Sequence, residues 1–299
     1  MRNKELDHTP VLLQEVLGIL EPKDNKIYVD ATFGAGGYTK AILSKANCTV
    51  VGIDCDAHAE KYTKQIEEDY PGKFHFINDN FINIDAILKN MNIPCIDGIV
   101  FDLGVSSMQL DNKERGFSFS GDGPLDMRMD NSLDVTAAKL VNELYEEELA
   151  DLIYQYGGER KSRSIAKNIV QFRQKEKILT TAKLVEAMNP NARNYKDNIH
   201  FATRTFQAIR IAVNNELENL KITLNKLPGL LMPEGTVSVV TFHSLEDKIV
   251  KDLFKEISVN HESGSFERIN KKVIVPSYPE VRKNPRARSS KLRGLKRIS

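Results

Sequence analysis

The chain has 299 residues, 41% of them hydrophobic and 28% charged, enough for one large α/β domain or a domain carrying an insertion. A formal net charge of +1 excludes a uniformly basic nucleic-acid-binding composition, yet Arg282 to Ser299 holds eight Lys/Arg and no acid. Such a basic end either contacts phosphate or is simply solvated. Cys48, Cys55 and Cys95 are odd in number and lack metal-ligand spacing, so neither a disulfide framework nor a metal is expected. Met1 to Asp7 lacks the apolar core of a signal peptide, and no apolar run approaches the roughly 18 residues of a membrane span. The expectation is a soluble protein of a reducing cytoplasm with no membrane partner.

Thr9-Pro10 reads as the start of a first helix, a cap followed by proline where its missing N–H costs nothing, with Leu12, Leu13, Val16, Leu17 and Leu20 at helical spacing. Short apolar runs at 27–31, 49–53, 74–77 and 96–103 read as buried strands, with helices between them carrying Ile42, Ile66 and Ile87. Strands alternating with helices imply parallel βαβ units. After Asp102 the rhythm stops. Residues 108–205 show only helical periodicity, as in Ala137-Leu140-Val141-Leu144 and Ile165-Ile169-Phe172, broken by polar loops at 119–130 and 189–198. A long helix is expected over 206–227, a buried strand over 236–242 and an edge strand over 292–298. The fold expected is α/β, a Rossmann-like sheet with helices on both faces. Residues 1–107 and 206–299 form this domain, and an all-helical insertion at 108–205 interrupts it.

The first strand ends Val29-Asp30-Ala31-Thr32-Phe33 and runs into Gly34-Ala35-Gly36-Gly37-Tyr38-Thr39. Glycines allow positive φ and close backbone approach, and helix N-terminal amides favour an anion. Asp54 ends the second strand, 24 residues after Asp30, where an acid can accept hydrogen bonds from ribose hydroxyls. This pattern serves NAD and S-adenosylmethionine alike, and an ordinary tight turn is the bland alternative. Two details favour S-adenosylmethionine. The G-x-G-x-x-G pattern needs glycine where Thr39 stands, and Asp30 suits an ammonium and sulfonium better than a pyrophosphate. Phe81, after the third strand, is a candidate to pack on adenine, though a core role is commoner. Asp102 ends the fourth strand at the edge where open sheets bind ligands.

Periodicity does not explain the polar-rich words Asp102-Leu103-Gly104-Val105-Ser106-Ser107-Met108-Gln109, Arg115 to Phe119 and Pro124 to Asp130. With His8 to Leu13, Asp30 to Gly37, Tyr156 to Glu159, Thr203 to Ala208, Val240 to Asp247 and Asn284 to Ser289, they resemble the MraW/RsmH methyltransferases almost end to end. The resemblance implies transfer of a methyl group from S-adenosylmethionine to the exocyclic N4 of a cytidine in small-subunit (16S) ribosomal RNA. It implies cofactor contacts at Gly36, Gly37, Asp54, Phe81, Asp102 and Gln109, to which the turn itself adds Asp30, Gly34 and Tyr38. Two residues depart from the family pattern: Tyr38, where histidine is common, and Met108, where Ser-Ser-Pro-Gln is often found.

The cytosine N4 lone pair is delocalised into the ring, so positioning and an acceptor for an N4–H bond carry the chemistry. Asp102, Ser106 and Ser107 are the catalytic candidates. His243 is a fourth, facing substrate from a strand end, while Ser244 and Asp247 read as a helix cap and a near capping box. His8 reads as structural. Lys161, Arg163, Arg193, Arg204 and Arg210 on the insertion, with the basic end, are candidate RNA contacts. The expected partner is 16S ribosomal RNA in the small ribosomal subunit, with a homodimer as one option. A nicotinamide dehydrogenase and a non-catalytic ribosome-assembly factor are the competing readings.

Overall fold

The computed structural model describes residues 10–188, 200–259, 262 and 264–299. Two compact units divide the chain, Met1–Gly104 with Leu217–Ser299, and Val105–Glu216. His8, Thr9, Arg193 and the loop at 189–198 lie outside the described residues.

The first unit holds seven strands: β1 (Ile27–Asp30), β2 (Thr49–Asp54), β3 (Phe74–Asn78), β4 (Ile96–Asp102), β5 (Leu231–Thr241), β6 (Phe266–Arg268) and β7 (Lys291–Arg297). Their order is β3-β2-β1-β4-β5-β7-β6. The first five are parallel, and β7 runs antiparallel between β5 and β6. Alternate residues face opposite sides, so the strands feed two cores. Val29, Val51, Ile99, Phe101 and Val239 pack with α4 (Ile84–Asn90), α11 (Glu216–Leu230) and α12 (Ser244–Ile257). Tyr28, Val50, Val100 and Val240 pack with α1 (Leu13–Leu20), α2 (Gly37–Lys45) and α3 (Thr63–Asp69). Helices therefore cover both faces of an α/β, Rossmann-like sheet. Among the described residues no helix is long and apolar enough to cross a membrane.

The second unit is helical: α5 (Ser107–Asp111), α6 (Ala137–Glu143), α7 (Glu146–Gly157), α8 (Ser162–Arg173), α9 (Thr181–Met188) and α10 (Ala202–Asn214). Its core gathers Leu149, Ile153, Ile169, Leu184, Phe206 and Ile209. The words at 115–119 and 124–130 are the loop that closes this core. Buried Arg115 donates through Nη2 to the carbonyls of Arg128 and Met129 at 2.9 and 3.1 Å, and Arg128 grips Asp126 through Nε and Nη2, both at 2.8 Å. Burying a guanidinium requires such partners, which is why the loop is rich in polar residues without periodicity.

Four local expectations change. α1 starts at Leu13, not at Thr9-Pro10, because Leu12 takes a left-handed φ of 54° and donates its N–H to Glu280 Oε1 at 2.7 Å. The single helix expected over 206–227 is two, since Asn215 at φ 49° ends α10 and returns its N–H to the Ile211 carbonyl. The segment at 292–298 is interior rather than an edge strand, because β6 pairs with its outer side. Finally, α12 is capped one residue earlier than expected. His243 is the N-cap, its Nδ1 accepting the Glu246 N–H at 3.4 Å, and Glu246 completes the capping box. Ser244 is thus the first helical residue, and Asp247 instead binds Arg293 and Lys291 of β7 at 2.7 and 3.0 Å.

The C-terminal helix α13 (Tyr278–Lys283) completes the set.

Candidate active site

The carboxyl ends of β1, β2 and β4 bring three acids to one sheet edge, since β1 lies between β2 and β4. Beyond β1 the chain stays on the sheet: the Ala31 N–H reaches the Val100 carbonyl and the Phe33 N–H reaches the Ile53 carbonyl, both at 2.9 Å. It then turns through Gly34 and Gly36, at φ 54° and 74°, into α2. The two glycines serve different ends. A Cβ at Gly36 would lie 2.5 Å from Ile66 Cδ1 and 2.8 Å from Phe33 Cε2, so the protein's own core fills that space. A Cβ at Gly34 would meet only the Thr32 carbonyl, at 3.8 Å, so this is the open side of the turn. Gly37 is the first residue of α2, with Pro10 packed against it.

Asp54 supports the turn. Its Oδ2 accepts the Gly34 N–H at 2.7 Å and its Oδ1 accepts the Asp56 N–H at 2.9 Å. After β3, the Asp79 N–H and the Asn78 side chain both donate to the Asp54 carbonyl, at 3.1 and 2.8 Å. The next aromatic, half-buried Phe81, stands edge-on to Phe101 with ring centroids 5.6 Å apart.

Asp30 is 0% exposed. Thr39 donates to its Oδ2 from both the backbone N–H (3.1 Å) and the hydroxyl (2.7 Å), while Oδ1 is buried without a partner. The residue that breaks the dinucleotide pattern therefore has its own task, holding the acid below the turn. Burial pushes the Asp30 carboxyl up to about 6, against the Thr39 hydrogen bonds. Asp102 follows two residues past the β1–β4 register and donates its N–H to Thr32 Oγ1 at 2.7 Å. Its Oδ1 is also buried without a partner. Burial, then repulsion from Asp30 and Glu246, raises this carboxyl to about 8.

Tyr38 turns away from the site. Its ring is buried in the core beside α1, and its hydroxyl donates to the Val11 carbonyl, leaving only the backbone at the turn. Tyr38→Phe should lower stability by about 1–2 kcal/mol, because the buried carbonyl loses its donor, while cofactor affinity stays unchanged. Thermal melts and calorimetry check both halves.

His243 sits where β5 ends, its side chain 10% exposed, with Nε2 3.1 Å from Glu246 Oε1. Glu246, 2% exposed, also accepts the N–H groups of Phe242 and His243 through Oε2 at 2.8 and 3.3 Å. Glu246 is hidden in the sequence because histidine is not a usual N-cap, and Ser244 with Asp247 reads as the box instead. In the helical unit, Ser106 and Gln109 form a reciprocal capping box for α5: Ser106 Oγ accepts the Gln109 N–H at 3.2 Å and Gln109 Oε1 accepts the Ser106 N–H at 3.0 Å. Ser-x-x-Gln is the spacing that signals such a box. Ser107 is the first helical residue of α5.

The basic candidates divide. Arg210 is locked on Glu216 at 2.8 and 2.9 Å, and Arg204 lies 3.7 Å from Glu159. Lys161 and Arg163 are exposed, Arg163 meeting Asp151 at 3.2 Å.

Residues 5–298 match the model of the MraW methylase family. The chain belongs to the MraW methylase family. Ribosomal RNA small subunit methyltransferase H of Ehrlichia canis (strain Jake) is 52% identical over 297 residues, covering 97% of this chain and 100% of that protein. The protein of the same name from Wolbachia sp. subsp. Drosophila simulans (strain wRi) is 52% identical over 294 residues, with 98% and 100% covered. Among solved structures, an rRNA methylase from Streptococcus thermophilus aligns over 98% of this chain and 99% of that chain, at a TM-score of 0.46 and 11% identity. As an MraW methylase, the protein is an S-adenosylmethionine-dependent methyltransferase. The donor set fits that molecule. Two carboxylates, each with one buried oxygen lacking a partner, call for a cationic ligand, and the open side of Gly34 beside Asp54 leaves room for one bearing hydroxyls.

Proposed function

We propose that the protein methylates the exocyclic N4 of a cytidine in 16S ribosomal RNA, within the small ribosomal subunit. The observation that carries the reading is Asp102, a partly exposed carboxyl at the end of β4 whose Oδ1 is buried without a partner. When bound, S-adenosylmethionine supplies an electrophilic methyl group on its sulfonium. Asp30, Gly34, Gly36, Gly37, the Tyr38 backbone, Asp54, Phe81, Asp102 and Gln109 are the residues we assign to holding it.

The cytosine amine is a weak nucleophile, and holding it in place contributes on the order of 7–11 kcal/mol. Asp102 accepts an N4–H hydrogen bond and so favours the pyramidal amine and the positive charge that develops on it. Ser106 and Ser107 add hydroxyl groups four and five residues further along the chain. Ser106 Oγ already accepts one N–H, which leaves its proton to donate. His243 acts from the end of β5, oriented by Glu246. The helical unit, with exposed Lys161 and Arg163, recognises the RNA around the target. A cytidine in folded RNA must leave its stack to be reached.

Small subunits from a strain lacking this enzyme, incubated with the protein and labelled S-adenosylmethionine, should acquire the label as N4-methylcytidine in 16S RNA. Label on another base, or none, would sink the reading.

A further inference from the structure

The acid-free C-terminal stretch has two halves that the sequence does not distinguish. Lys291, Arg293, Lys296 and Arg297 belong to β7 and are engaged. Lys291 and Arg293 meet Asp247, Lys296 meets Glu234, and Arg297 donates to the Leu231 carbonyl at 2.6 Å. Arg282, Lys283 and Arg288 are exposed, and none of the three has an ion-pair partner among the described residues.

These cations share their short stretch with apolar groups that face water. Tyr278 is 80% exposed and Val275 58%. Tyr278 stands on an anchored helix. Ser277 caps α13, with Pro279 inside its first turn, and Glu280 of the same turn binds the Leu12 N–H at 2.7 Å. Tyr278 and Arg282 are four residues apart on that helix and so share one face. Val275 and Arg288 then line a groove of about 370 Å³ with Phe242, His243, Ser244 and Lys291. Phe242 and His243 follow β5, where Val240 pairs with Asp102 of β4, so the groove opens at the sheet edge that carries this carboxyl.

We propose that residues 275–291 form a track for single-stranded RNA, with Arg282, Lys283 and Arg288 on phosphates, Tyr278 and Val275 under bases, and the groove beside His243 receiving the nucleotide next to the target. Unpartnered cations interleaved with an exposed, anchored aromatic fit a strand whose bases are unstacked; a duplex hides its base faces, and a lipid surface makes no use of a lone ring. The proposal rests on the ribosomal RNA reading above and narrows it.

The test uses the full chain and a fluorescent oligouridylate, followed by anisotropy across a salt series. Replacing Arg282→Ser, Lys283→Ser and Arg288→Ser together should weaken binding at low salt by tenfold or more and flatten the log–log salt slope by about 2, at roughly 0.7 per lost phosphate contact. Tyr278→Ala should weaken binding about fivefold or more, the lower end for one stacked base, without changing the slope. Calorimetry with S-adenosylmethionine should give wild-type affinity for both variants, which reports an intact fold. Wild-type oligouridylate binding by the triple variant would overturn the track. So would a wild-type preference for duplex RNA, or for anionic vesicles, over the single strand. Failure of the unmodified protein to methylate small subunits would instead remove the substrate reading, since oligouridylate binding needs no methyl transfer.

Discussion

Replacing Asp102 by asparagine should lower methyl transfer about 10²–10³-fold, the range for losing a preorganised electrostatic group, while making the ligand-free protein more stable. The two effects have one cause. The carboxyl stands at the end of β4, desolvated and with Asp30 and Glu246 as its electrostatic neighbours, and it sits at about 8 instead of near 4. A carboxyl raised on folding holds its proton more tightly in the folded chain. Between roughly pH 4 and pH 8 the folded protein therefore carries more protons than the unfolded chain, and stability falls as pH rises. An amide removes that penalty, worth at least the roughly 1.4 kcal/mol of a single pKa unit. The gap between melts at pH 5 and pH 8 should be smaller in the variant than in the wild type, what is left coming from Asp30. Near wild-type turnover by the variant at full cofactor occupancy would remove Asp102 from the chemistry.

The same carboxyl links cofactor binding to pH. A cationic ligand favours the ionised form, so at pH 7 binding should expel a proton from Asp102, and affinity should rise between about pH 6 and pH 8. Asp30, raised to about 6, adds to this at the acid end. Calorimetry in buffers of different ionisation heat measures the released proton directly, and the asparagine variant should release less.

The parts of the site visible in the sequence are those where a short-range pattern coincides with a strand end. Asp30, Asp54 and Asp102 each close a buried apolar run, and period and position together placed them at the carboxyl edge. What stayed hidden depends on partners distant in the chain. β7 reads as a basic tail because the acids that match its charges, Asp247 and Glu234, lie 44 to 62 residues away. Tyr38 reads as a backbone contact at the turn, and nothing local shows that its hydroxyl finds the Val11 carbonyl and its ring the core beside α1. The break at Asn215 is a matter of one left-handed residue inside a continuous helical periodicity. The His243–Glu246 box was hidden because the cap is made by a ring nitrogen.

The glycine turn offers the second large effect, as a contrast between neighbours. Gly34→Ala should fold, losing about 1–2 kcal/mol for a side chain at positive φ, and should weaken S-adenosylmethionine binding at least about tenfold, or 1.4 kcal/mol. Its new methyl points into the open side of the turn, where the nearest atom is the Thr32 carbonyl at 3.8 Å, and the N–H bond to Asp54 survives. Gly36→Ala should behave in the opposite order. Its methyl would fall 2.5 Å from Ile66 Cδ1 and under 3 Å from the Phe33 ring, so α2 and α3 must shift before any ligand is considered. Overpacking and positive φ together cost about 2–5 kcal/mol. Melting curves with and without S-adenosylmethionine separate the cases. Gly34→Ala should melt near the wild type without ligand and gain little from it, whereas Gly36→Ala should start low. Wild-type affinity in a folded Gly34→Ala protein would mean that the cofactor does not lie against this side of the turn. Gly34 would then owe its place to φ alone.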